Sequence, residues 1–235
     1  MKQLYREPNP DPREVASRIT SALDEATRRE MSGPGVACCL SSLLQASRQV
    51  AEAGLGALVR ATDRPPLLAA SEAIRERAER AIARGAFASR FSDLGLNALA
   101  TAVFEAGAGG SSELFHVDAD RATAALGSYC TDQRLHCLAL TFVGHDFDHL
   151  YRYFVTRDTS DFVGGPGLPT VAEASQLRDA VSRHCRETAA GVEAAAHEAA
   201  LAAALRLDDD GAVAHVQDVL TDLTERGLQR LAAAG

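Results

Sequence analysis

Apolar residues recur three and four positions apart along most of this chain, the period of helices that bury one face. Asp11-Pro12 predicts a helix start, with aspartate as N-cap and proline at the first helical position. Val15, Ile19, Leu23 and Ala26 then mark one face until Ser32-Gly33-Pro34-Gly35 stops it. Residues 36–61 predict a longer helix. Leu40, Leu43, Leu44, Val50, Leu55 and Leu58 make it apolar on more than one side, which places it at the centre of the core. Thr62-Asp63-Arg64-Pro65-Pro66 breaks the chain before a charged helix over 67–84. Another helix is expected over 87–106, with Phe91, Leu94, Leu99 and Val103 facing inward.

Past Asp118, an N-cap, the helical pattern runs to Thr156, with Gly127 and Gly144 as the places for a kink or break. Residues 157–169 read as a loop. Thr170, with Glu173 three residues on, forms a capping box that opens a helix expected to reach Leu207. Asp208-Asp209-Asp210-Gly211 turns the chain into a last helix, in which Val213, Val216, Leu220, Leu223, Gly227 and Leu231 form a coiled-coil-like seam. No segment alternates as a strand does, and no internal repeat is visible. The prediction is an all-α protein, a multi-helix bundle of about seven helices, several of them long. One helical domain over 1–235 is expected. Gly107 to Ser112, GAGGSS, is the most linker-like stretch, and as a hinge it would divide the chain into halves 1–106 and 113–235.

Composition narrows the function classes. Hydrophobic residues are 46% and charged residues 24%, enough for a core and too apolar for wholesale disorder. Lys2 is the only lysine, in a polar N-terminal tail, so a Walker A loop, a protein-kinase strand lysine and a pyridoxal Schiff base are all excluded. This Ala/Arg-rich, Lys-poor usage suggests a GC-rich bacterial genome. The formal net charge of −8 argues against a nucleic-acid groove. The arginines at 75, 77, 80 and 84 alternate with Glu72, Glu76 and Glu79 at helical spacing, as on a self-paired solvated face. Five cysteines without framework spacing, no apolar signal core in MKQLYREPNPD and no membrane-length apolar run lead to the expectation of a cytoplasmic protein with no membrane partner.

The densest chemistry is GHDFDHLYRYF, residues 144–154. His145 and His149 share a helix face one turn apart, so both imidazoles could bind one divalent metal, with Asp146, Asp148, His116, His136 or a cysteine completing the set. Leu138, Phe142, His145 and His149 also continue an apolar stripe, which fits hydrogen-bonded core histidines equally well. Asp148 and Arg152 stand at the spacing of a helix-surface ion pair. The string HDFDHL resembles the phospho-accepting box of two-component histidine kinases, which often reads His-Asp-Phe-Asn-Asn-Leu. The resemblance implies His145 as acceptor and Asp146 as its acid/base. It covers six positions, departs at Asp148 and His149, and is followed by no glycine-rich ATP-binding domain, so it implies at most a phosphotransfer protein.

Other patterns are weaker. Cys130, His136 and Cys137 (CTDQRLHC) offer partial zinc ligands, but no CxxC occurs. Neighbours on a helix point about 100° apart, which argues against a His184–Cys185 dyad. Ala212 and Val219 spoil a calcium loop at the aspartate run, and the di-iron Glu-x-x-His pattern has only Asp146–His149 as an aspartate version. These residues lead to the expectation of a non-enzymatic helical interaction or adaptor protein without a cofactor. Its partner would be another protein or a second copy, docked through Val213, Val216, Leu220, Leu223 and Leu231. The alternatives are a metal-binding bundle built on His145 and His149, which as an enzyme would be an oxidoreductase, and a histidine phosphotransfer protein. A buried His145 would exclude the last.

Overall fold

The computed structural model describes residues 5, 9–59, 64–109, 117–207 and 209–233. Its helices are α1 (Pro12–Ala22), α2 (Glu25–Met31), α3 (Pro34–Ala53), α4 (Pro66–Gly85), α5 (Arg90–Ala108), α6 (Ala119–Thr131), α7 (Leu135–Thr159), α8 (Val171–Ala190), α9 (Glu198–Ala204) and α10 (Asp209–Ala233). Among the described residues the only β-type pairing is one isolated bridge, Val163 to Leu168. The protein is all-α, as the periodicity predicts.

The helix starts that depend on local chemistry form where the sequence places them. Asp11 accepts from the Arg13 N–H and Asp118 from the Arg121 N–H, and Thr170 and Glu173 close a reciprocal capping box. Three predicted helices prove to be two each. The first breaks at Leu23, where Asp24 caps a new helix by accepting from the Thr27 N–H. The helix expected to run on from Asp118 breaks not at Gly127 or Gly144 but at Asp132–Arg134, where Gln133 takes a positive φ of 54°. The helix expected to reach Leu207 stops at Gly191 and resumes as α9.

Gly127 and Gly144 are approach points, not breaks. A Cβ on Gly127 would lie 3.2 Å from the Ala51 Cα, so this glycine lets α6 press against α3. The linker-like run behaves similarly at its start. Gly107 lies buried inside α5, where a Cβ would meet Leu67 and Leu126, and Gly109 ends the helix in the left-handed region at φ 55°. Residues 110–112 of that run, and His116, lie outside the described residues.

Helix α3 is central, as its all-round apolarity predicts. It packs against α4, α5, α6, α7 and α10, and thirteen of its residues are buried. Helix α7 is the second spine, lying mainly between α5 and α8 with further contacts to α1, α3 and α10. Tyr151 of α7 reaches Thr20 of α1 in a fully buried 2.5 Å hydrogen bond. One cluster of buried side chains runs from Tyr5 to Leu231 and draws on both halves of the sequence. The seam of α10 belongs to it. Val216, Leu220, Leu223 and Leu231 are buried and Val213 packs half-buried against the cluster, so the stripe expected to bind a partner is already covered by this chain's own helices. The apolar pattern of a docking seam and of a core-facing helix is the same, and here α1, α3 and α9 occupy it.

The tightest backbone approach gives a test of this packing. A Cβ on Gly35 would stand 2.6 Å from the Phe87 carbonyl oxygen and 2.8 Å from the Ser92 Cβ, whereas one on Gly56 meets nothing within 4 Å. Gly35→Ala should therefore cost about 1–3 kcal/mol in urea unfolding. Gly56→Ala should leave the midpoint unchanged or raise it slightly. Equal behaviour of the two variants would contradict this packing.

Candidate functional site

Helix α7 carries most of the chemistry of this protein, and its polar groups face three different neighbours. His145 is 2% exposed, and its Nε2–H donates to Glu105 Oε2 on α5 at 2.7 Å. That bond is the largest cause holding the Glu105 carboxyl below its ordinary range. The other ring nitrogen, Nδ1, is buried and unpartnered. One turn further, His149 Nε2 lies 3.4 Å from Thr101 Oγ1, again on α5, and burial lowers its pKa. The two histidines are rungs of an α5–α7 contact, each bound to its own partner.

Asp146 points elsewhere in the core, toward Cys39 on α3. It is 5% exposed and finds no hydrogen-bond donor among the described residues. Burial raises its pKa to about 7, so the carboxyl is largely protonated below neutrality. Asp148, expected at the surface, is buried. Burial alone would raise its pKa, but the neighbouring Ser182 side chain, Arg152 Nε at 2.5 Å and Arg186 Nη1 at 3.5 Å stabilise the carboxylate and hold it below its ordinary value.

These positions decide two sequence expectations. Among the described residues no three His, Cys, Asp or Glu side chains gather where one cation could bind, and His145, His149 and His136 each have a separate partner while Asp146 lies toward Cys39. Burial of His145, the acceptor that the resemblance implies, argues against phosphotransfer. Its ring is enclosed in the core and its Nε2 is engaged by Glu105, which leaves no room for the in-line approach of a phosphoryl donor.

The start of α7 assembles something the sequence left apart. Arg134, at the N-cap position, makes no side-chain cap. Glu198 of α9 takes that role from 62 residues away, its Oε2 accepting from the His136 backbone N–H at 2.9 Å. The same oxygen lies 2.8 Å from His136 Nδ1. A carboxylate can only accept, so Nδ1 carries the proton and Nε2 of the neutral ring is left as an acceptor. Cys137 Sγ lies 3.3 Å from that Nε2. Thiol, imidazole and carboxylate thus stand in one line of hydrogen bonds. His136 and Glu198 keep about a fifth of their side-chain surface exposed (21% and 18%), and Cys137 is half-buried.

Residues 136 and 137 are helix neighbours, and their Cβ directions diverge. The contact forms because Glu198 turns the imidazole, whose far nitrogen then reaches back over Cys137. His184 and Cys185 have no such third group and do not bond. Burial pushes the Cys185 thiol far above its ordinary pKa, and His184 Nε2 is unpartnered. A cleft of about 660 Å³ lies beside the relay, lined by Arg48, Cys130, Gln133, Leu135, Glu198 and Arg206 among others, so Glu198 is in contact with solvent-accessible space.

Compared with models of protein families, with curated proteins and with solved structures, the chain matches none. No described helix is long and apolar enough to cross a membrane.

Asp146 makes the pH dependence of stability predictable. Its folded pKa of about 7 exceeds the ordinary 3.8, so the folded state holds the proton more tightly than the unfolded chain. Stability is then full below 3.8 and falls as pH rises toward about 7. At about 1.4 kcal/mol per pKa unit the loss amounts to about 4 kcal/mol. Asp146→Asn should abolish that fall, and Asp146→Leu should raise the melting temperature at pH 8, because an apolar group replaces a buried unpaired one. A wild-type stability that is flat from pH 4 to pH 7.5 would show that Asp146 is not buried unpaired.

Proposed function

We propose that this protein is a thiol-dependent enzyme in which Cys137 is the nucleophile, His136 its base and Glu198 the carboxylate that orients His136. The observation that carries this proposal is the pair of contacts on one imidazole, 3.3 Å to Cys137 Sγ and 2.8 Å to Glu198 Oε2. Nucleophilic cysteines are activated by such an adjacent base, itself held by a third group. The proton moves from Sγ to Nε2, and the resulting imidazolium keeps its Nδ1–H on Glu198. The thiolate then forms a bond to an electrophilic carbon, and the leaving group departs with the proton from Nε2. Cys137 also stands in the first turn of α7, where the helix dipole favours negative charge. Water or an acceptor nucleophile, giving its proton to His136 Nε2, then attacks the acyl carbon, and the C–S bond breaks to return the Cys137 thiolate. The reaction class is therefore acyl transfer through a covalent thioester.

This proposal replaces the docking seam as the guide to function, because the seam of α10 is buried. The exposed large apolar side chains, Phe87, Tyr153, Val163, Val171 and Leu207, belong to separate elements and offer no continuous stripe of their own.

Alkylation by iodoacetamide, quantified per cysteine by mass spectrometry, tests the proposal. Cys38, Cys39 and Cys185 are buried and act as internal blanks, while Cys130 is half-buried like Cys137 and is the comparison. Cys137 should react faster than Cys130 at pH 7. His136→Ala should slow it by about 100-fold, the lower range of general-base assistance. Glu198→Gln should shift the pH–rate profile while retaining the helix cap. If Cys137 reacts no faster than Cys130, or equally fast without His136, the proposal fails.

A further inference from the structure

The opposite end of α7 carries a second polar site. Between α7 and α8 runs an open groove of about 480 Å³, lined by His149, Arg152, Tyr153, Thr156, Arg157 and Arg178. No carboxylate lines it. Acidic side chains pair with the arginines and fix their orientation. Asp148 holds Arg152 Nε at 2.5 Å and Asp179 its Nη1 at 3.3 Å, while Asp158 holds Arg157 Nε at 2.9 Å. Arg178 Nη2 donates to Ser175 Oγ at 2.8 Å.

One donor is left over. The Arg178 Nε–H is buried, Asp179 Oδ1 lies 3.6 Å away, beyond hydrogen-bond reach, and no other acceptor meets it. A buried guanidinium N–H without an acceptor destabilises the protein. At the rim Tyr153 is 48% exposed, with the Arg157 guanidinium 5.9 Å from its ring centroid. The groove thus offers oriented guanidinium donors, two hydroxyls and one exposed aromatic ring.

We propose that this groove binds a small phosphate ester, its phosphoryl oxygens taken by Arg152, Arg157 and Arg178 and its organic part laid on Tyr153. Planar forks suit a phosphoryl group, which presents several acceptors at once. Sugars and alcohols, being neutral, would make only weaker hydrogen bonds to these guanidinium groups. The site lies at the other end of α7 from Cys137, so the proposal stands or falls independently of the thiol chemistry.

Isothermal titration of the full chain with inorganic phosphate and with phenyl phosphate, at constant ionic strength, tests it. Both should bind saturably, with phenyl phosphate tighter because its ring reaches Tyr153. Arg178→Gln should weaken phosphate by about tenfold, as expected for the loss of a charge-assisted bond. Arg157→Gln, a change at an exposed side chain, gives a second reading should Arg178→Gln perturb the fold. Arg226→Gln on α10 should leave binding unchanged. The proposal is overturned if neither phosphate binds saturably, if neither groove variant weakens binding, or if chloride at matched ionic strength displaces phosphate fully.

Discussion

The structure depends on burying α7, a helix that carries too many polar groups to be buried alone. Fourteen of its residues are out of solvent, among them His145, Asp146 and Asp148. Each buried polar group must be matched by a partner or neutralised. Glu105 on α5 meets His145, Arg186 on α8 and Arg152 on α7 itself meet Asp148, and Glu198 on α9 meets the first turn. Asp146 takes the other route and holds its proton to about neutral pH. These partners fix which helices lie beside α7 and at what height. Apolar packing alone would tolerate many sliding registers, whereas a buried ion pair or charged hydrogen bond tolerates few.

The same requirement explains which parts of the fold could be read from the sequence. Caps and capping boxes are local, and Asp11, Asp118 and Thr170–Glu173 form as written. So does the central position of α3, because apolarity on all sides has one physical meaning in a protein without a membrane-length run. The breaks at Leu23, Asp132–Arg134 and Gly191 were hidden, since the apolar period continues across them. A break costs little where a side chain satisfies the freed N–H groups. Asp24 does so locally, but Glu198 does so from another helix, and no local pattern announces it. Glycine misled in the opposite direction, marking close approach at Gly127 where a kink was expected.

The sequence drew attention to α7, though to other residues of it than those of the Cys137–His136–Glu198 relay. GHDFDH is dense in chemistry because it is a buried polar segment, and its histidines are bound one each to α5. His136 and Cys137 drew notice only as possible metal ligands, in a partial zinc pattern and, for His136, as a third ligand beside His145 and His149. Their contact depends on Glu198, and the argument that helix neighbours diverge holds for Cβ directions but not for a long ring turned by a third group. A tertiary hydrogen bond, invisible in one sequence, converts two adjacent residues into a relay.

The ends of α7 also differ in a way that the helix dipole makes intelligible. At its N-terminus, where the unpaired N–H groups carry partial positive charge, stand the Glu198 carboxylate and the Cys137 thiol. Toward its C-terminus, where the carbonyls carry partial negative charge, stand Arg152 and Arg157. Asp158, also in the last turn, is paired with Arg157. The middle of the helix, where the dipole contributes least, is where charge is either paired or absent, at Asp148, His145 and Asp146. One buried helix therefore separates the Cys137–His136–Glu198 relay from the arginine-lined groove, and the core between them keeps the two apart.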